Sequence, residues 1–191
     1  ITQTKSGSYI ETERGTFLIY EGDCIGGICL EADVIRGLPE RAPKDALPDG
    51  FIASAGNGDI RKAWYSQPTQ RYAHGVLGDA IEYGALILHT DRMDGLSLTV
   101  RLPQDRVFED VAPRLVDVDL DGDLEVIVVE TQVDTGAQLA IYDDTGKIAA
   151  TPHIGRANRW LAPIGAADLD GEGIVEIAYI DRPHLAKTLR L

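Results

Sequence analysis

Residues 117–125 read Asp-Val-Asp-Leu-Asp-Gly-Asp-Leu-Glu, and residues 168–176 read Asp-Leu-Asp-Gly-Glu-Gly-Ile-Val-Glu. A constant offset of 51 superposes them as DxDx(D/E)GxxE without a gap, and the apolar run Val126–Val129 then falls on Ile177–Ile180. Alternating carboxylates in a tight loop can turn their oxygens toward one centre, and the glycine allows the reversal that brings the ninth residue back as a further ligand. Hard oxygen donors select calcium, with magnesium as the alternative, over softer metals. Without a cation, two carboxylates about 4 Å apart repel by up to about 4 kcal/mol at an effective dielectric near 20, less where solvent reaches them. The expected ligands are the side chains of Asp117, Asp119, Asp121 and Glu125 with the carbonyl of Asp123. In the second loop they are Asp168, Asp170, Glu172 and Glu176 with the carbonyl of Ile174. The bland alternative is a solvated Asp-Gly turn, which two copies in register make less economical. An EF-hand is excluded, because its twelfth position needs a bidentate Glu and holds Val128 or Tyr179 here.

The loops concentrate charge that the rest of the chain does not share. Nine of the 31 acidic residues lie in them, and the formal net charge of −13 argues against binding nucleic acid through its phosphates. Apolar runs are strand-sized, well short of the roughly 20 residues that span a bilayer as a helix, so no membrane insertion is expected. The first residue is Ile1, which suggests processing or trimming. Low Met and Cys with many Gly and Tyr fit a periplasmic or extracellular β protein.

The elements that must hold the loops are strands. Residues 16–21 and 28–35 flank Gly26-Gly27 and predict an N-terminal β-hairpin within residues 1–36. With those glycines as a two-residue turn, Cys24 and Cys29 face each other across a non-hydrogen-bonded pair, giving either a disulfide or two half-buried thiols. Zinc is improbable for want of further ligands at suitable spacing. Residues 37–50, with three prolines and no apolar period, read as a linker. From there to residue 191 come short apolar runs at 85–89, 96–102, 111–116, 126–130, 138–142, 147–151, 160–166, 177–180 and 187–191, none sustaining a helical period. Asp94-Gly95 and Thr145-Gly146 mark tight hairpins, and residues 59–65 read equally as helix or strand.

Loop plus strand, 117–129 and 168–180, resembles the FG-GAP or VCBS repeats of integrin alpha-subunit propellers and of many bacterial exported proteins. Glu125 and Glu176 stand where that family has a final Asp, and its Phe-Gly and Gly-Ala-Pro signatures are absent, so the resemblance is to the bacterial variety. It implies an all-β fold of propeller-like blades, each of four antiparallel strands, with calcium bound between outer strands and a role in recognition or adhesion. Residues 51–191 divide into a degenerate repeat at about 51–104, a repeat at about 105–155 and a truncated one at about 156–191. A stretch at 74–82 reads as a decayed acidic loop without metal. Closed propellers have typically 4–8 blades; the expectation is a fragment of a longer protein, or an incomplete edge covered by the N-terminal hairpin or by another subunit in a homo-oligomer.

Other polar and aromatic groupings are less specific. Trp64 and Tyr65, near Tyr72 and His74, and Arg159 with Trp160 are candidate ligand contacts, with blade-edge packing the more ordinary role. Neither a GxSxG elbow, nor HExxH, nor a phosphate-binding loop occurs. The reading is therefore a calcium-stabilised binding, adhesion or scaffold module with a protein or glycan partner, more a binder than an enzyme. A carbohydrate-active hydrolase or lyase is the competing class.

Overall fold

The computed structural model describes residues 8–12, 15–32, 50–56, 58–75, 78–91 and 97–191. The chain divides into two compact units, residues 1–40 and 41–191. Except for Gly50, the proposed linker lies outside the described residues, as does the Asp94-Gly95 turn.

The first unit is a three-stranded antiparallel sheet of β1 (Ser8–Thr12), β2 (Gly15–Glu21) and β3 (Ile28–Ala32) in that order. The connection between β2 and β3 differs from a two-residue turn. The ladder ends at Glu21 opposite Ile28, and the Gly22 N–H donates to the Gly27 carbonyl at 3.0 Å, so residues 22–27 form a longer loop. A 3-10 turn at Ile25–Gly27 fills it, with Gly26 and Gly27 at φ 77° and 78°, where a side chain would be strained. Cys29 therefore pairs with Tyr20 in the ladder, and Cys24 reaches it from the loop. The two sulfurs are bonded, with Cα atoms 5.3 Å apart.

The second unit is all-β: among the described residues it holds strands and no α-helix. Its first meander comprises β4 (Ala53–Ser54), β5 (Ile60–Thr69), β6 (Glu82–Thr90) and β7 (Ser97–Arg101). The second opens with β8 (Arg106–Phe108) and β9 (Arg114–Val116), two segments of one interrupted edge, and continues through β10 (Glu125–Gln132), β11 (Gly136–Asp143) and β12 (Gly146–Ala150). The third comprises β13 (Leu161–Ala167), β14 (Glu176–Asp181) and β15 (Thr188–Arg190). The first two meanders join through β8, which pairs with both β6 and β10, into one nine-stranded sheet, and the third is a separate three-stranded sheet; this is an incomplete propeller-like fold with no closed barrel among the described residues. Of residues 59–65, 60–65 are strand, the start of β5. Leu189 lies opposite Ile180 as Leu139 lies opposite Val129, so the third meander repeats the second as far as its third strand.

Topology also moves one sequence-based expectation. The stretch at 74–82 runs from the connection after β5 into the first residue of β6, the second and third strands of their blade, whereas both acidic loops join a first strand to a second. The positional equivalent is the short connection between β4 and β5, which ends in Gly58-Asp59.

The run Val126-Ile127-Val128-Val129 shows why blades need neighbours. Successive residues of a strand point to opposite faces, so an unbroken apolar run asks for cover on both. Val126 and Val128 join Ile60, Tyr65, Leu86, Leu88, Phe108 and Tyr142 in one core. Val129 joins Ala137, Leu139 and Leu161 in another, packed against Trp160, Ile177 and Tyr179 from the third blade. Between β11 and the segment before β13 the backbones nearly touch: a Cβ on Gly136, at φ 76°, would lie 2.3 Å from the Arg156 carbonyl oxygen.

Glu130, fully buried on β10, is held by Arg106 Nη1 at 2.5 Å, Lys147 Nζ at 2.9 Å and the Tyr142 hydroxyl at 2.9 Å. Burial pulls its carboxyl upward, but the hydrogen bonds from Lys147, Arg106 and Tyr142 outweigh that and hold it below the ordinary 4.5. A carboxylate whose pKa falls on folding contributes stability above its unfolded pKa and loses it as the pH falls through the folded value. Acid unfolding should therefore steepen below pH 4.5, and Glu130→Gln should flatten that limb. At neutral pH the same variant should lose about 3 kcal/mol, because Arg106 and Lys147 keep their charge without its partner. Urea melts of both proteins across the pH range measure this.

Candidate metal centres

Each acidic loop sits between the first and second strands of its blade, its ends set by the ladder pairs Val116 to Glu125 and Ala167 to Glu176. Two different sequences then adopt one internal bonding pattern. Asp117 Oδ2 accepts the Gly122 N–H at 3.0 Å, as Asp168 Oδ2 accepts that of Gly173 at 3.0 Å. Asp119 Oδ1 accepts from Asp121 N–H at 3.3 Å, and Asp170 Oδ1 from Glu172 at 3.1 Å. The closing glutamate reaches back to the second loop residue: Glu125 Oε2 accepts from Val118 and Glu176 Oε2 from Leu169, both at 2.8 Å. The fourth and sixth positions are left-handed in both loops, with Leu120 at φ 64°, Gly171 at 82°, Gly122 at 95° and Gly173 at 83°. These turns point the acids inward.

The result is a group of carboxylate oxygens from Asp117, Asp119 and Glu125 that lie within 4.8 Å of one another, repeated by Asp168, Asp170 and Glu176. Oxygens bound to one calcium at about 2.3–2.6 Å can be separated by up to twice that distance, so either set can share an ion. Six of the eight expected side-chain ligands thus come together. Asp121 turns to the Asp123 N–H at 2.9 Å instead, and the carboxylates of Asp121 and Glu172 are outside the groups. Burial lifts the Glu125 carboxyl above its ordinary range; the Val118 N–H opposes this, and Asp119, Asp121 and Asp117 raise it further. Charge is crowded here in the sense a cation would relieve.

The first loop is the better anchored. Asp59 Oδ1 accepts the Leu124 N–H at 2.7 Å, and the Leu124 side chain covers Gly58 so closely that a Cβ there would come within 2.5 Å of it. Glu125 is buried, whereas Glu176 is half-buried. Sequence reading missed Asp59 because its contact spans 65 residues and only the strand pairing reveals it.

The other candidates separate. Tyr65 is a core residue, 1% exposed, with its ring 5.3 Å from those of Tyr83 and Phe108. Trp64 is half-buried on β5 opposite Ile87. Arg159 and Trp160 line a surface cleft with His74 and His184, two histidines that spacing alone did not connect.

Leu120 is 58% exposed and holds a backbone conformation that L side chains avoid, while its counterpart is glycine. Leu120→Asn should therefore stabilise the protein by about 0.5–1 kcal/mol, because asparagine tolerates this region better. Thermal melts of the two proteins provide the check, and an unchanged or lower Tm would contradict the strain.

No curated protein and no solved structure matches the chain. A family model described as an FG-GAP-like repeat matches residues 117–179, from the first acid of one loop through the second loop into β14, so this part of the chain is similar to FG-GAP-like repeats.

Proposed function

We propose that the two acidic loops bind calcium, that the ions stiffen the blade edges, and that the chain serves as an exported recognition or scaffold module for a protein or glycan partner. The observation that carries the reading is that the acids shared by the two loops gather their carboxylate oxygens in the same way twice, although the other loop positions differ. The donor set is all oxygen, which favours calcium or magnesium, and the flexible loop geometry favours calcium of the two. Export rests on the repeat type matched at 117–179, and the net charge of −13 disfavours nucleic-acid partners. No helix among the described residues is long and apolar enough to cross a membrane.

The test uses an isosteric change at one ligand of each loop. Asp119→Asn and Asp170→Asn keep an oxygen to accept the backbone N–H of residues 121 and 172, but remove the charge. Millimolar calcium should raise the wild-type Tm, in line with stabilisation of about 2.7 kcal/mol at a hundredfold excess over Kd. Each single variant should lose part of that rise and the double variant nearly all of it. In EDTA the double variant should match or exceed the wild type, since repulsion among the acids is reduced. Equal calcium responses in wild type and double variant would refute the assignment.

A further inference from the structure

We propose that the cleft formed by His74, Asn158, Arg159, Trp160, Arg182 and His184 binds a single sugar ring carrying a carboxylate, a uronic acid or a terminal uronate of a polysaccharide. The cleft lies on the second unit, away from both acidic loops, and does not depend on the metal reading.

Its charge is the first argument. The chain carries a net −13, yet the side chains lining this concavity include two arginines and two histidines and no carboxylate. Two of the four are paired with carboxylates outside the lining, Arg182 with Asp181 and His74 with Glu109, so the positive charge that a concave site focuses rests chiefly on Arg159. Arg182 spends Nε and Nη2 on the Asp181 carboxylate, at 2.7 and 3.0 Å, which fixes the guanidinium and keeps Nη1 out of that pair. Arg159 donates from Nη1 to the Asn158 carbonyl at 2.6 Å. A forked guanidinium suits a planar carboxylate, which accepts two parallel hydrogen bonds.

The second argument is a flat platform beside those donors. The Trp160 ring is stacked on that of His184, centroids 6.0 Å apart and planes 19° apart. It is pinned from below, because Nε1 donates to the Glu109 carbonyl at 2.8 Å. His74, which lines the cleft, is held in the same way: Nδ1 bonds the fully buried Glu109 carboxylate, which also accepts from the Thr131 hydroxyl at 2.6 Å. Rigid aromatic faces with a few fixed polar groups are what small-ligand sites are built from. Backbone strain collects here too, with Asn158 at φ 54° and Arg182 at φ 51°. The enclosed space is about 40 Å³, far below the roughly 300–1,000 Å³ of pockets that bury a whole drug-sized ligand, so the ring lies across the mouth of an open cleft rather than inside a pocket.

Calorimetric titration of the full chain in calcium-containing buffer decides the matter, with sodium glucuronate, glucose, sodium acetate and sodium sulfate as separate probes. Glucuronate should saturate one site with a Kd of about 1 mM or tighter. Glucose and acetate, each presenting half of the ligand, should bind at least about tenfold more weakly. Arg159→Gln should weaken glucuronate at least about tenfold with an unchanged melting curve, and His184→Ala should weaken it by about threefold or more. The proposal is overturned by any of three results: no saturation by about 20 mM glucuronate, sulfate binding as tightly as glucuronate, or wild-type affinity in a folded Arg159→Gln variant.

Discussion

A single strand that is apolar on both faces sets the terms for the second unit. Val126, Ile127, Val128 and Val129 cannot all be covered by one layer, so β10 must lie between two others. The first blade supplies one cover and the third supplies the other, through separate cores. The acidic loop that precedes β10 inherits its rigidity from this position. Glu125 is both the last acid of the loop and the first residue of the strand, so the site and the core share a boundary. The equivalent strand β14 is only half-buried from Glu176 to Ile180, and its loop is correspondingly more open.

How much of this was legible depended on whether the signal was local. Strands from β6 onward, β8 excepted, follow from alternation and turn residues, and the acidic loops from their 51-residue offset, because both are written in consecutive residues. What escaped involves distant partners or very short elements. β4 has two residues and β8 three, too few for any period to show. Asp59 gains its role only when β4 and β5 place it against Leu124, and Glu109 only when folding buries it beneath His74 and Trp160. The turn at Gly26-Gly27 illustrates the opposite error. Adjacent glycines suited a two-residue turn, but the chain uses their left-handed conformations to close a longer loop.

The polar groups of the interior divide by face in the same way as the apolar ones. Glu130 shares its side of β10 with Val126 and Val128 and is neutralised by Arg106 and Lys147 within the second blade. Glu109 instead gathers His74 from the first blade and, through its carbonyl, Trp160 from the segment leading into the third. The first carboxylate fastens one blade internally; the second ties three stretches of chain together beneath an open surface. A buried charge that must be satisfied from several directions specifies an arrangement more strongly than apolar contact does.

Phe108 belongs to two ladders, opposite Tyr83 of β6 and opposite Glu130 of β10. The edge where one repeat ends is therefore the edge where the next begins, and neither can peel away without breaking backbone bonds of the other. The segment copied in sequence and the block that folds cooperatively are out of step: a cut between repeats at residue 105 would sever a shared seam rather than separate two self-sufficient pieces.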